Sequence, residues 1–466
     1  MKAATDSRDN AARLRPVVQY ALLAGPLLSM LDSSIVNVAV APIAARLHAN
    51  LPTVGWTISG YLLAMGVGLT ATASLARRFG TLPIYRAALV GFTLSSVACA
   101  IAPTVGALIG ARVCQGLTGA ALVPLAMSML LGSGSTTRSM SPAAGILLFL
   151  GPALGPSVGG ALIGAAGWRA IFLINVPIAV AAIVASLRIP PALAPGRTAG
   201  ARFDPVGLML LGTGLTLLLY GTGQGGSHGW AAAGTWTPIV LGIVLLTAYG
   251  AWARRSTHPA LDLEVAQHST SMLALLLCAV ASVVTFAAVF LLPVFLQTAQ
   301  HHSALAAGMA LLPQGVVTGV STVAGQRILT RITVRTTVIA GFAVLVAATA
   351  ALFAIDTHTP IWITAALLAA RSASIGLVIT PLLTVMLKPL NTDQLADANT
   401  LFNICQRIAA SLGVGVFAGW YTTVATYHGP VTALHQTALG LTALAALGAT
   451  IALALPSTRN TALTHR

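Results

Sequence analysis

The sequence predicts an all-helical membrane protein that crosses the bilayer fourteen times. Only 7% of the 466 residues are charged, 56% are hydrophobic and the mean hydropathy is +0.88, whereas about 25% of the residues in soluble domains are charged. So few charges cannot form a water-facing surface, which excludes soluble globular and disordered proteins. Fourteen apolar runs have the length of about 20 residues that a spanning helix needs. The basic residues between the runs also alternate strongly in number from loop to loop.

The fourteen runs follow one another through short connections, so no loop is long enough for a folded domain outside the membrane. The first run follows a basic, polar tail and precedes further runs, and we expect it to be a retained helix rather than a cleaved signal peptide. The runs begin near Val17, Val54, Ile84, Thr104, Pro142, Trp168, Pro205, Trp236, Ser271, Ala304, Thr336, Ile361, Asn399 and Leu434.

The distribution of basic residues predicts the orientation. The chain has 24 Lys and Arg against nine acids, a net charge of +15. When the loops are assigned to alternate sides, 19 basic residues fall on one side, and Arg46 and Arg169 fall on the other. Arg112, Arg371 and Arg407 lie within runs. Because basic loops stay in the cytoplasm, both termini are expected there. The positive charge therefore reflects membrane topology rather than a nucleic-acid surface.

The connections predict three parts of the chain. The longest loop, Arg188–Asp204, is rich in Pro, Gly and Arg, and a second basic connector, Arg254–Gln267, follows the next two helices. We expect a six-helix bundle over residues 1–190, connectors and an inserted helix pair over 191–267, and a second six-helix bundle over 268–466. Transporters are often built from repeated halves with the substrate site between them.

The sequence lacks the motifs that are typical of several other classes of protein. Neither lysine follows a glycine, so the nucleotide-binding loop G-x-x-x-x-G-K-[ST] is absent and no nucleotide partner is expected. The four cysteines lie in apolar runs and form no CxxC or Cys/His cluster, which argues against a disulfide framework or zinc site. No nucleophile constellation indicates an enzyme, and we expect no cofactor and no metal.

Asp32 is the one acid inside an apolar run, about halfway through the first. A central carboxylate costs about 2.5–3.5 kcal/mol on insertion scales, and burial favours its neutral form unless a cation compensates. Asp32 is therefore the candidate proton carrier. The alternative is a permanent ion pair that only fixes helix packing.

Arg112 lies in the fourth run, and Gln115 is on the same helix face three residues later. A buried arginine cannot lose its charge and must pair with a carboxylate, carbonyl groups or water. Arg112 could modulate the proton affinity of Asp32 or contact substrate; the alternative is a structural cation bonded to backbone carbonyls. No partner for Arg371, in the twelfth run, is evident from the sequence.

The fifth run contains a decapeptide of small and helix-bending residues. Glycines four apart form a smooth face that permits close helix approach, and the two prolines remove backbone donors and bend the helix. Such a helix suits a moving interface between halves, although it could also be a generic packing face. The residues are Gly151, Pro152, Gly155, Pro156, Gly159 and Gly160.

A polar stripe runs along the thirteenth predicted helix, where Asn399, Asn403 and Arg407 recur every four residues. Lipid would not accept these side chains. We expect them to line a cavity, and the alternative is hydrogen bonding between helices.

These motifs resemble the fourteen-helix drug–proton antiporter branch of the major facilitator superfamily, along essentially the whole chain. Leu31–Ala39 resembles the first-helix motif, whose Asp is implicated in proton coupling. Arg112–Gly116 matches the fourth-helix motif, whose Arg is proposed to act in proton transfer. Gly151–Gly160 matches the antiporter motif G-x-x-x-G-P-x-x-G-G, and Gly167–Pro177 is also characteristic of the branch.

One motif departs from the family pattern. The cytoplasmic loop after the second helix usually reads G-x-x-x-D-R-x-G-R-[RK], whereas Ala73–Leu82 lacks the first Gly, the Asp and the last two basic residues. Arg78 and Gly80 are retained. In the family this loop is thought to latch the two halves in one state, so the resemblance gives Arg78 and Gly80 a gating role.

The resemblance implies a monomeric, proton-coupled antiporter in a bacterial-type inner (cytoplasmic) membrane. It would export small hydrophobic drugs or antibiotics by alternating access, with the proton gradient as its energy source. Asp32 and Arg112 would couple proton movement to transport. An exporter dedicated to one metabolite or self-made antibiotic would carry the same motifs and is the second hypothesis. A transport-inactive membrane receptor is the third, because the loop Ala73–Leu82 lacks part of the family motif. The residues expected to line the substrate cavity are Gln115, Asn399, Asn403 and Arg407.

Overall fold

The structure is a computed structural model that describes residues 16–131, 142–191, 204–228, 232–256, 259–260, 263, 268–329, 331–388 and 395–457. All regular elements in these segments are helices. The N-terminal group consists of α1 (Pro16–Ile35), α2 (Val40–Leu47), α3 (Leu51–Phe79), α4 (Thr81–Ile101), α5 (Val105–Gly119), α6 (Leu122–Leu131), α7 (Pro142–Ala166), α8 (Ala170–Leu173) and α9 (Asn175–Ser186).

Two further sets of helices complete the described chain. The inserted pair consists of α10 (Pro205–His228) and α11 (Ala233–Ala253). The C-terminal group consists of α12 (Ser269–Thr298), α13 (Ala304–Ile328), α14 (Val334–Ala350), α15 (Ile361–Leu387), α16 (Leu395–His428) and α17 (Pro430–Ala452).

The helices form because the bilayer leaves no other partner for backbone amides and carbonyls. Several begin at residues whose side chains accept a bond from an otherwise unpaired backbone N–H group. Asn50 accepts from the Thr53 N–H at 2.8 Å, and Thr104 accepts from the Ala107 N–H at 3.2 Å. These caps fix the starts of α3 and α5, the two helices that later hold Arg112 in place.

Twelve helices in the described segments are long and apolar enough to span a membrane. Two more apolar helices are shorter, Ala153–Ala166 and Ala170–Ser186. The first is the part of α7 whose side chains are described, and the helix itself runs for 25 residues. The second is interrupted at Ile174, between α8 and α9. An all-helical, multi-pass architecture is thus established, while the count of fourteen spans stays a prediction.

The N-terminal and C-terminal groups pack in the same pattern. In the N-terminal group α1 contacts α7, α3 contacts α5, and α4 contacts both α5 and α9. The corresponding C-terminal contacts are α12 with α16, α13 with α15, and α14 with both α15 and α17. The groups meet along two seams, α7 against α13 and α3 against α16. The predicted boundaries at residues 190 and 267 are compatible with this packing and remain a prediction.

The inserted pair covers the seam between α3 and α16, because α10 contacts both helices. Leu211, Leu215 and Leu219, spaced four residues apart, are its buried stripe. Gly212 lies against Val67 of α3. The pair is therefore packed against both groups.

Asp204 anchors the inserted pair at one end. Its carboxylate is buried and accepts from the Gly207 N–H at 2.8 Å, the Ala260 N–H at 3.0 Å and the Trp252 Nε1–H at 3.1 Å. These donors come from the first turn of α10, the connector and the end of α11. One side chain thus caps α10 and holds the two helices together.

We predict that Asp204→Ala destabilises the protein by about 1.5–3 kcal/mol, the scale for hydrogen bonds to a charged group. Asp204→Asn should have a smaller effect because it keeps one acceptor oxygen. Thermal unfolding in detergent, followed by tryptophan fluorescence, measures the change. Thr213→Ala, at an exposed position on α10, is the control; an equal melting temperature for all variants would contradict the anchor.

Candidate functional site

Asp32 and Arg112 form a buried ion pair. Arg112 NH1 lies 2.6 Å from Asp32 Oδ2, and it is the one salt bridge found among the described residues. The side chains are 1% and 0% exposed for Arg112 and Asp32, respectively. Helix α1 supplies the carboxylate and α5 the guanidinium, so the pair joins two helices within the N-terminal group. Such a pair is held only where further hydrogen bonds satisfy both charges.

The other carboxylate oxygen is satisfied by two amides. Asn175 Nδ2 donates to Asp32 Oδ1 at 2.7 Å, and Gln115 Nε2 donates to the same oxygen at 3.1 Å. Gln115 Nε2 also lies 2.6 Å from Ser96 Oγ, and Asn175 Nδ2 lies 3.3 Å from it. Asp32, Arg112, Gln115, Asn175 and Ser96 are hereafter the ionic cluster. They bring together α1, α4, α5 and α9.

Arg112 also has partners other than Asp32. Its Nε donates to the Thr57 carbonyl at 2.9 Å, and its NH1 to Gln115 Oε1 at 2.7 Å. The guanidinium carbon lies 3.9 Å from the centre of the Tyr61 ring, a cation–π distance. Arg112 is therefore oriented by neutral groups as well as by the carboxylate.

The structure adds Asn175 and Ser96 to the residues predicted from the sequence. Asn175 lies in the segment Gly167–Pro177, which carries the family resemblance, but the pattern alone assigned it no role. Ser96 stands in an apolar helix without any motif. Only the spatial approach of α4 and α9 to α1 identifies these two. The Oδ1 of Asn175 is buried and has no hydrogen-bond partner in the described segments.

Arg371 is buried at 3% exposure, and its partners are neutral. Its guanidinium donates to the carbonyls of Val284 and Thr285 on α12 and to Thr349 Oγ1 on α14. No acid contacts it among the described residues.

The glycine-rich helix α7 contacts two different partners. A Cβ at Gly155 would overlap Ser34, and one at Gly159 would press on Ile35, so this face lies against α1 just beyond Asp32. A Cβ at Gly160 would overlap the backbone of Ala304 and Leu305 on α13.

Two further close contacts join α7 to α13. A Cβ at Gly308 would overlap the carbonyl of Pro156, and Ser157 Oγ donates to the Gly308 carbonyl at 3.1 Å. Helix α7 therefore connects the helix that carries Asp32 with the C-terminal group. Gly151 and Pro152 belong to the backbone of α7, and their contacts lie outside what the structure describes.

The polar stripe on α16 does not contact the ionic cluster directly. Asn399 is exposed, and Asn403 Nδ2 donates to its carbonyl oxygen at 2.8 Å. Arg407 is half-buried, with its Cβ side towards Gly66 of α3, and it lies within electrostatic range of Tyr61. Tyr61 is therefore in contact with Arg112 and in the electrostatic neighbourhood of Arg407. The cavity role of the stripe stays a prediction.

The loop between α3 and α4 is a single turn at Gly80, whose φ of 94° favours glycine. Arg78 is exposed, and its guanidinium lies 5.3 Å from the Phe79 ring centre. No carboxylate pairs with Arg78 in the part of the chain described. The gating role of Arg78 and Gly80 stays a prediction.

We predict that Gly160→Ala destabilises the seam between α7 and α13 by about 1–3 kcal/mol, the usual cost of overpacking. The clash is with backbone, which cannot rotate away. Gly164→Ala, one turn later on the same helix with open space at its Cβ position, is the matched control. Thermal unfolding in detergent compares the two, and equal melting temperatures would show that α7 and α13 are not in close contact.

Comparison with known proteins supports a transporter. The family model described as Major Facilitator Superfamily matches residues 22–414. The chain is 31% identical over 401 residues to the Multidrug resistance protein B homolog of Mycobacterium tuberculosis (strain ATCC 25618 / H37Rv), covering 84% of this chain and 73% of that protein. It is also 31% identical over 406 residues to the Methylenomycin A resistance protein of Bacillus subtilis (strain 168), covering 86% of both chains.

A solved structure shows the same fold. The crystal structure of the nucleoside transporter NupG superposes with a TM-score of 0.64 at 11% identity, covering 94% of this chain and 99% of the other. Its low identity supports the fold alone. The family match extends from α1, which carries Asp32, into α16. The chain belongs to the Major Facilitator Superfamily of membrane transporters, and is not an enzyme.

Proposed function

We propose that this protein is a proton-coupled antiporter that exports small hydrophobic drugs or antibiotics across the cytoplasmic membrane. The observation that carries the proposal is the fully buried Asp32–Arg112 pair at 2.6 Å. A carboxylate in the membrane interior is a functional group by default, because its desolvation is costly. The names of the relatives as multidrug and antibiotic resistance proteins support the choice of substrate class.

The ionic cluster can exist with Asp32 charged or neutral. When Asp32 is ionised, its oxygens accept from Arg112, Asn175 and Gln115. When a proton neutralises it, Arg112 retains the Thr57 carbonyl, Gln115 Oε1 and the Tyr61 ring. Removing one partner of a buried pair normally costs about 3–5 kcal/mol; these neutral contacts reduce that cost. In the proposed cycle, loss of the charge on Asp32 changes the forces on α1 and α5, while Arg112 keeps its neutral partners.

A change in the charge of Asp32 can act on the C-terminal group of helices through α7. Gly155 and Gly159 place α7 against α1 beside the ionic cluster, and Gly160 places the same helix against α13. Closely packed backbones do not compress, so a displacement of α1 has to move α7. In the proposed cycle this displacement is the rocking that alternates access between the two sides.

The finer topology belongs to the same proposal. All fourteen predicted runs cross the membrane, and both termini lie in the cytoplasm. Helix α7 is the fifth spanning segment, and α8 and α9 together are the sixth. The groups 1–190 and 268–466 act as two six-helix bundles, with 191–267 inserted. Gln115, Asn399, Asn403 and Arg407 line the cavity, and the proton gradient serves in place of a cofactor. The transporter works as a monomer.

An exporter dedicated to one antibiotic is the second candidate. The resemblance to Methylenomycin A resistance proteins of Bacillus subtilis and Streptomyces coelicolor, at 31% and 26% identity, favours it. A substrate panel separates the two candidates, because a multidrug exporter moves both neutral chloramphenicol and monovalent ethidium, whereas a dedicated exporter moves neither or only one.

We predict that Asp32→Asn abolishes proton-coupled export while leaving the protein folded, since asparagine keeps the side-chain shape but cannot release a proton. The measurement is substrate-stimulated proton flux in inverted membrane vesicles, using chloramphenicol and ethidium in turn. Asp356→Asn, an acid in an exposed loop, is the control and should retain flux. Full proton-coupled transport by Asp32→Asn would refute the mechanism. If the wild type transports neither probe, the multidrug exporter is excluded, and the dedicated exporter and the membrane receptor remain.

We predict that Asn175→Leu lowers proton-coupled transport. The substitution removes a donor at 2.7 Å from Asp32 Oδ1, so the buried carboxylate loses one of the partners that satisfy its charge. The measurement is substrate-stimulated proton flux in the same vesicles. Ser157→Ala, which removes a hydrogen bond away from Asp32, should retain the flux. An unchanged flux in Asn175→Leu would remove Asn175 from the coupling site.

A further inference from the structure

A side pocket of about 500 Å³ lies between α3, α5 and α10, outside the ionic cluster. This volume falls within the range of about 300–1,000 Å³ that is typical of small-molecule sites. Helix α10 of the inserted pair supplies one of its walls, so the pocket would not exist without this pair. The residues used below are Thr53 and Trp56 of α3, Ile109 of α5, and Thr216, Tyr220 and Gln224 of α10.

The lining is apolar with a few polar groups and no charged residue. Trp56 and Tyr220 face each other across α3 and α10, with ring centres 6.2 Å apart. Gln224 Nε2 donates to the Tyr220 hydroxyl at 2.8 Å, which fixes the phenol ring. Apolar walls with a few placed polar groups suit an uncharged molecule that carries both an aromatic body and a polar end.

The pocket opens towards lipid. Tyr220 is 48% exposed and Thr216 is exposed. A Cβ at Gly106 or Gly110, on the lipid side of α5, would meet no atom within 4 Å. In the proposed orientation α3 and α5 begin outside and α10 ends there, so the opening faces the outer leaflet.

The pocket is lined by the same two helix segments that hold Arg112 of the ionic cluster. Trp56 immediately precedes Thr57, whose carbonyl accepts from Arg112. Ile109 precedes Arg112 by three residues on α5, which is about 4.5 Å along a helix. A molecule in the pocket therefore contacts the two helix segments that hold Arg112, one turn nearer to the outer surface.

We propose that this side pocket binds uncharged, amphipathic aromatic substrates at the boundary between the transporter and the outer leaflet. It would be the last binding site before release into lipid, and it makes the inserted pair part of the substrate path. The choice of substrate as occupant rests on the proposed export function. The absence of charge in the lining, the paired aromatic rings and the helix segments shared with Arg112 favour it over a charged lipid headgroup.

The test uses 5-azido-1-naphthol, an uncharged photolabel with an aromatic body and a polar hydroxyl, with the full-length protein in nanodiscs of phosphatidylethanolamine and phosphatidylglycerol. Labelled peptides are located by mass spectrometry at increasing label concentration. Trp362, which is 68% exposed on α15, reports simple partitioning into lipid. Thr216→Phe fills part of the pocket. Thr213→Phe, at an exposed position on the same helix outside the lining, is the matched control.

We predict that labelling of the Trp56 and Tyr220 peptides saturates, whereas labelling at Trp362 rises linearly. Thr216→Phe should weaken the saturable labelling about tenfold, the scale of a misfit of one or two methylene groups, and Thr213→Phe should not. Linear labelling at Trp56 and Tyr220 would mean that lipid alone occupies the pocket, and this result, or equal labelling of the two variants, would overturn the proposal.

The labelling needs no proton gradient, so its failure is separable from that of the export function. If labelling is linear while the wild type shows transport that depends on Asp32, the pocket proposal alone is wrong. If labelling saturates and is sensitive to Thr216→Phe while Asp32→Asn transports fully, the pocket is supported and the coupling mechanism is wrong.

Discussion

The structure depends on one constraint, that a carboxylate placed inside the bilayer has to be satisfied by the protein. Asp32 is fully buried, and its oxygens accept from Arg112, Gln115 and Asn175. These donors come from two helices distant in sequence from α1, so satisfying one side chain fixes the relative positions of three helices. In the proposed cycle, adding a proton to Asp32 removes the charge for which these donors are arranged.

Close helix packing connects the surroundings of Asp32 to the C-terminal group of helices. Small residues on α7 allow its backbone to touch α1 on one face and α13 on another. Larger side chains at Gly155, Gly159 or Gly160 would separate these helices and allow slippage between them. The decapeptide is thus one mechanical element with two contact faces. The inserted pair adds a second connection, since α10 packs against both α3 and α16.

Composition and hydropathy were sufficient to predict a multi-pass helical protein, and the motifs were sufficient to predict the family. Asp32 and Arg112 were identifiable because a charge in an apolar run is conspicuous. Asn175 and Ser96 were not assigned a role, because their contribution depends on α4 and α9 approaching α1. The number of spans was harder to predict, since α8 and α9 are interrupted at Ile174 and fall short of a full span.

The two buried arginines differ in the groups that satisfy them. Arg112 and Arg371 each reach from the fourth span of their group to its first long helix, α1 and α12. Arg112 meets a carboxylate there, whereas Arg371 meets backbone carbonyls and a threonine hydroxyl. Carbonyls and hydroxyls do not titrate near neutral pH. In the proposed cycle, a proton on Asp32 therefore changes the charge balance around Arg112, whereas the contacts of Arg371 offer no proton acceptor of this kind.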